Sequence, residues 1–175
     1  LELIILKMPK LGKPNLEFIP FSNGVINRNT GEFLPHSKDY FLRSFIDIEY
    51  SFENKPMPNF EKWINWASKN DEDKKRRILA AFYMILTNSY QWQLFLEITG
   101  DGGSGKSIFN EIAIMLVGEE NSTSINLKDL EKISARTKLL DKTLIFAPDQ
   151  GRIVTDGAVL KALTGGDVMS FEPKY

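Results

Sequence analysis

Gly100-Asp101-Gly102-Gly103-Ser104-Gly105-Lys106-Ser107 follows the pattern G-x-x-x-x-G-K-[ST], in which a glycine-rich loop cradles the phosphates of a nucleoside triphosphate. The residue types suit that chemistry. Glycines let the chain curl so that successive backbone N–H groups converge on an anion. A helix that starts at the loop adds the positive end of its dipole. Lys106 reaches the β- and γ-phosphates as a mobile charge. Ser107 offers a hydroxyl to magnesium. The candidate nucleotide contacts are therefore Gly100, Asp101, Gly102, Gly103, Ser104, Gly105, Lys106 and Ser107, with Ile108 next in the helix. Ahead of the loop, Trp92-Gln93-Leu94-Phe95-Leu96-Glu97-Ile98-Thr99 reads as a strand. Behind it, Ile108, Phe109, Ile112, Ala113 and Leu116 recur at helical spacing. Strand, glycine loop and helix together separate this stretch from a glycine-rich turn followed by a surface lysine.

A magnesium–nucleotide site also needs an acid at the end of a neighbouring strand. Lys142-Thr143-Leu144-Ile145-Phe146-Ala147-Pro148-Asp149 reads as a buried strand ending in such an acid. Asp149 is the candidate magnesium-orienting residue beside Ser107, although Pro148-Asp149-Gln150-Gly151 is also a common turn composition. Gln150 is placed to hydrogen-bond water or the γ-phosphate, and Lys106, Asp149 and Gln150 form the candidate catalytic set. Glu111, one turn into the helix, reads as a surface residue. The guanine-reading pattern Asn-Lys-x-Asp is missing. Asn126-Leu127-Lys128-Asp129 has its lysine displaced by one position, lies before the acidic strand, and reads as a helix start.

Around this core the order is α/β. Gly118 suits the end of the loop helix, and Ser122-Thr123-Ser124-Ile125 reads as a short strand. A helix is expected around Leu127, Leu130, Ile133 and Ala135, and another after Asp156 with Val159, Leu160 and Leu163, stopped by Gly165-Gly166. Alternating strands and helices predict a parallel sheet with its site at the strand C-terminal ends. Upstream, Phe21–Ile26 and Asn29–Leu34 read as two strands joined by a polar turn, and Asp39–Ile48 as a further strand or short helix. Past Pro56 and Pro58, Asn59 suits the cap of a helix with Phe60, Trp63, Ile64 and Ala67 on one face. Asn70 and the acidic run Asp71-Glu72-Asp73 open a second helix that buries Ile78, Leu79, Phe82, Ile85 and Leu86. Its Lys74-Lys75-Arg76-Arg77 run reads as a solvated first turn in preference to a DNA contact. The division expected is 1–90, an accessory unit of short strands and two helices, and 91–175, the nucleotide-binding core.

The 175 residues, 42% hydrophobic and 26% charged, suffice for a packed core, and a net charge of −1 announces no global attraction to nucleic acid. The chain has no cysteine, which excludes disulfides, thiolate catalysis and cysteine-bound zinc. Its one histidine, His36, sits in a loop-like context and cannot form a histidine metal cluster. No apolar run is long enough to span a membrane, and the first residues lack the pattern of a secretory signal. A chain opening on Leu1 and closing on Tyr175 reads as a piece of something longer.

Ile98–Phe109 resembles the Walker A segment of superfamily 3 helicases, closest to phage- and plasmid-type primase–helicases of the satellite-phage branch. Ile145-Phe146-Ala147-Pro148-Asp149-Gln150 resembles their Walker B segment, and Leu160-Lys161-Ala162-Leu163-Thr164-Gly165-Gly166-Asp167 a more specific segment that follows it. Phe21–Val25, Thr30–Glu32 and Pro35-His36 are similar to the region preceding the helicase core, so the resemblance spans roughly residues 18 to 175. It implies a P-loop NTPase-type, AAA+-like parallel sheet, here truncated, behind a small α+β and helical accessory domain. It implies ATP and Mg²⁺ as cofactors, DNA as partner, a homo-oligomeric ring that is often hexameric, and often a fused primase. A cytoplasmic location in a bacterial or phage-infected cell follows from the same resemblance, as does Asp149 as the Walker B acid. The family's sensor asparagine and arginine finger fall after Tyr175, and its DNA-contacting hairpin would begin in Asp167–Tyr175, where Lys174 reads as a solvated terminal lysine. The pair Asp149-Gln150, where a glutamate is often found, leaves the catalytic base open. On this reading the isolated chain binds nucleotide with little turnover. Two alternatives stand beside the motor: a module that uses ATP binding only to assemble on DNA or a partner, and a small-molecule P-loop kinase. The kinase is disfavoured because only Arg136 and Arg152 follow residue 77.

Overall fold

Short turns punctuate the N-terminal part of the chain and fold it into a three-stranded antiparallel sheet. The computed structural model describes residues 15–89, 91–148, 157–167 and 169–170. Strands β1 (Phe18–Phe21), β2 (Gly24–Asn27) and β3 (Phe33–Leu34) pair in that order, with Ile19 opposite Ile26 and Val25 opposite Leu34. The expected strand over Phe21–Ile26 is divided by a turn at Ser22-Asn23, because Ser, Asn and Gly in succession favour reversal over extension. A second reversal is tied by Asn27, whose side-chain oxygen accepts from the N–H groups of Asn29 and Thr30. Residues 39–48 form neither a full strand nor a helix. A single 3₁₀ turn over Lys38–Tyr40 is followed by an isolated parallel bridge between Ile46 and Phe21.

Two helices connect this sheet to the loop helix. Helix α1 (Pro58–Ser68) starts two residues earlier than a cap at Asn59 would have set it, because Pro58 occupies the first turn, where its missing N–H costs nothing. Helix α2 (Glu72–Leu86) is capped by Asp71, whose Oδ1 accepts from the N–H groups of Asp73 and Lys74, both at 3.0 Å. The basic run on α2 pairs within its own turn, Lys74 with Asp71, Lys75 with Glu72 and Arg76 with Asp73, as a solvated face should. Helix α3 (Lys106–Val117) buries Phe109, Ala113 and Val117, one residue per turn. These three helices share one core. Phe82 of α2 stacks on Phe109 of α3 with ring centroids 4.5 Å apart, and Phe60 and Trp63 of α1 pack on the pair. Leu79, expected inside, is exposed; the α2 face that packs carries Ile78, Phe82 and Ile85.

Strands β4 (Ser122–Ser124) and β5 (Leu144–Phe146) pair in parallel, with Thr123 opposite Ile145. The crossover between them holds a 3₁₀ turn over Leu127–Glu131 and the short helix α4 (Ile133–Arg136), with Ile125, Leu130 and Leu139 as a second small core. Helix α5 (Ala158–Gly165) rests against this core through Val159. The fold is thus mixed α/β, with one small antiparallel sheet and one two-stranded parallel sheet among the described residues.

Trp92–Thr99 departs from expectation. Among the described residues it joins no strand, and Trp92, Leu94, Phe95, Leu96 and Ile98 are exposed, Leu94 at 64%. A run that is apolar at successive positions suits a strand covered on both faces, but it forms one only where a neighbouring edge accepts its hydrogen bonds. β5 pairs with β4 along one edge only, yet among the described residues no strand pairs with Trp92–Thr99, and the Gln93 side chain donates to Gly165 O.

Candidate phosphate-binding loop

The loop is built where α3 begins. Gly105 caps α3 in the left-handed region, φ 87°, and Gly103 is also left-handed at φ 72°. Side chains with a Cβ are strained there, so the glycines are required by the backbone itself. The first N–H groups of α3 have no carbonyl one turn earlier and face out of the helix end with its positive dipole. Lys106 folds back over the loop: its Nζ donates to Gly100 O at 2.6 Å, Asp101 O at 2.9 Å and Ser104 Oγ at 3.4 Å. The ammonium is therefore held against the loop by the loop's own oxygen atoms. Ser107 lies exposed in the first turn of α3, and Ile108 beside it is also exposed, pointing away from the core that takes Phe109. Gly100, Asp101 and Gly102 complete an exposed rim.

Asp149 and Gln150 lie outside the described residues, as do Asp156 and Lys174. The strand that leads to Asp149 is present as β5, and Pro148 lines a cleft of about 260 Å³ with Ser124, Asn126, Asp129 and Lys138. This cleft opens at the C-terminal ends of the two parallel strands, the end at which α/β sheets collect ligands. Asn126 caps the following 3₁₀ turn by accepting from Lys128 N–H, which accounts for Asn126–Asp129 without any role in reading a base. Asp129 accepts a 2.8 Å bond from Lys132; that bond holds the Asp129 carboxyl below its ordinary range and the Lys132 ammonium above its own. Glu111 is exposed, as a surface residue should be. Among the described residues no three metal-ligating side chains come together, and no helix is long and apolar enough to cross a membrane.

Sequence reasoning missed the neighbours of the loop. Trp63 and Trp66 of α1 close on Gly105, and the Trp63 indole Nε1 is buried with no hydrogen-bond partner among the described residues. Trp63 was legible as part of an apolar face; that this face reaches the loop depends on how α1 crosses α3, which no local spacing reveals.

Comparison with known proteins divides the chain in two. Residues 11–69 match the family described as D5 N terminal like. This domain is found in phage and plasmid primase–helicases, and its presence supports membership of that broad group and an association with replication. Residues 98–175, which hold the loop, match a family of unknown function, DUF5906. An uncharacterized mitochondrial protein, ymf21, from Marchantia polymorpha is 28% identical over 131 residues, covering 67% of this chain and 73% of that protein.

Proposed function

We propose that this chain is the ATP-binding part of a superfamily 3-like DNA helicase that acts in replication of a phage, plasmid or integrated element. The observation that carries the reading is the Lys106 ammonium held over a glycine loop at the N-terminus of α3. A D5 N-terminal-like domain on the same chain supports the replication context.

The residues fit a magnesium nucleotide. The α3 N–H groups and the loop backbone bind the β- and γ-phosphates, Lys106 neutralises charge that builds between them, and Ser107 with Asp149 holds the metal. Magnesium supplies charge neutralisation to the transferring phosphoryl group. Gln150 orients the attacking water. Catalysis in such a site is positioning and electrostatics, so turnover depends on groups supplied by a neighbouring copy of the protein. On this reading residues 1–90 form the accessory unit and residues 91–175 the first part of the P-loop core. Oligomerisation into a ring, contact with DNA and a location in the bacterial or phage-infected cytoplasm belong to the same reading; the mitochondrial name of the Marchantia relative makes an organelle the compartment to test against it.

The test is equilibrium binding of ATP with and without Mg²⁺, together with steady-state phosphate release. The expected result is binding by the 175-residue chain with little release, and loss of the magnesium dependence in Asp149→Asn. Sustained hydrolysis by a monomeric sample contradicts the dependence on a neighbour, and magnesium dependence that survives Asp149→Asn removes Asp149 from the site.

A further inference from the structure

We infer that Trp66 and Trp63 of helix α1 are positioning residues for the phosphate loop: they form a wall behind Gly105 that fixes the loop's curvature and responds when a triphosphate enters. The inference rests on the nucleotide-binding reading above and deepens it by assigning a role to a helix outside the loop motif.

Three observations converge. A Cβ placed on Gly105 would lie 2.8 Å from Trp66 Cζ3 and 3.1 Å from Trp63 Nε1, so both indoles lie against the loop at the residue that caps α3. The two tryptophans are three residues apart on α1, one turn of one face, so a single rigid helix presents both. Among the described residues the buried Trp63 N–H meets no acceptor, which is uncommon for a native polar group and marks a ring placed by its packing against the loop.

The arrangement acts from outside the loop. A phosphate would be held by the loop's N–H groups, whereas a Gly105 side chain would point towards the tryptophans. Trp66 therefore shapes the loop without stacking on a base, although half of its surface, 54%, is open to solvent. Because α1 packs on Phe82 and Phe109, a shift of the loop is resisted by the core shared with α2 and α3.

The experiment uses the full 175-residue chain and two probes, Mg-ATP and inorganic triphosphate, with binding followed by calorimetry and by tryptophan fluorescence. Trp66→Ala is expected to weaken both probes alike, by about tenfold or more, as a misplaced binding loop does. Trp66→Phe keeps a ring against Gly105 and is expected to restore affinity. The fluorescence change on binding is expected to persist in Trp92→Phe and to fall in Trp66→Phe. Melting of each variant, followed by circular dichroism, separates loss of fold from loss of loop geometry. Weakening of Mg-ATP alone, with triphosphate unaffected, would overturn the inference by making Trp66 a base platform. Unchanged affinity for both probes in a folded Trp66→Ala would overturn it as well. Failure of the wild type to bind either probe refutes the nucleotide reading itself, a result distinct from both.

Discussion

Phe82 and Phe109 join the loop helix to the rest of the chain, and cutting either ring away should loosen both the fold and the loop. The rings are 6% and 8% exposed, with centroids 4.5 Å apart and planes inclined by 16°. Truncating one buried Phe to Ala removes its apolar surface from the core and leaves a cavity, a cost of about 3–5 kcal/mol. For a chain of this size that lowers the melting temperature by roughly 10 °C. The stacked pair contributes about 0.5–1.5 kcal/mol beyond burial, and the two truncations open one shared cavity. The double variant Phe82→Ala/Phe109→Ala should therefore lose less than the sum of the single losses, by at least about 0.5 kcal/mol. Urea unfolding of the four proteins measures this, with the midpoint and slope fitted together. Strict additivity of the two single losses, or a cost of either below about 1 kcal/mol, would refute the packing of α2 on α3 from which the reasoning starts.

Further predictions concern the ends of α2. Asp71→Ala removes the cap and should lower the melting temperature by a few degrees at neutral pH. The N–H groups donated by Lys74 and Asp73 hold the Asp71 carboxyl below its ordinary value of 3.8, so the folded state binds its proton less readily than the unfolded chain. Its contribution is complete above that value and fades as pH falls through the lower folded value, and the gap between wild type and Asp71→Ala should close in acid melts; a gap independent of pH contradicts the cap. At the other end, Arg28 Nη1 donates at 3.0 Å to Ser89 Oγ, which lies 2.8 Å from Thr87 Oγ1 in a buried pair. Arg28→Met should cost about 1.5–3 kcal/mol by removing a charged donor between β2 and the end of α2. Nucleotide affinity should stay unchanged, which separates this bond from the loop; unchanged urea stability would show that the bond adds nothing.

Local chemistry was legible from the sequence wherever it was self-contained. The acidic turn before α2 caps its own helix, Gly105 and Gly118 bound α3, and Leu144–Phe146 extends because its apolar residues find β4. Trp92–Thr99 shows the limit of that reasoning. Its composition specifies a buried strand, but strand pairing is a property of two segments, and among the described residues no edge receives it. The hairpin at Ser22-Asn23 was misplaced for the opposite reason: turn residues embedded in an apolar run outweigh the run. Within the site, the motif specified Lys106 and the glycines because phosphate chemistry fixes their types and order. The tryptophans behind Gly105 were invisible as a pair on the loop, since the contact between α1 and α3 arises from the Phe82–Phe109 core.

The most direct test of the central claim is calorimetric titration of Mg-ATP into the 175-residue chain and into Lys106→Ala, both shown to be folded. The account predicts binding by the wild type and a loss of at least about tenfold, or 1.4 kcal/mol, in the variant, because the ammonium now held on Gly100 O and Asp101 O is the loop's charge for phosphate. Equal affinity in the two proteins would contradict it and remove Gly100–Ser107 from nucleotide binding.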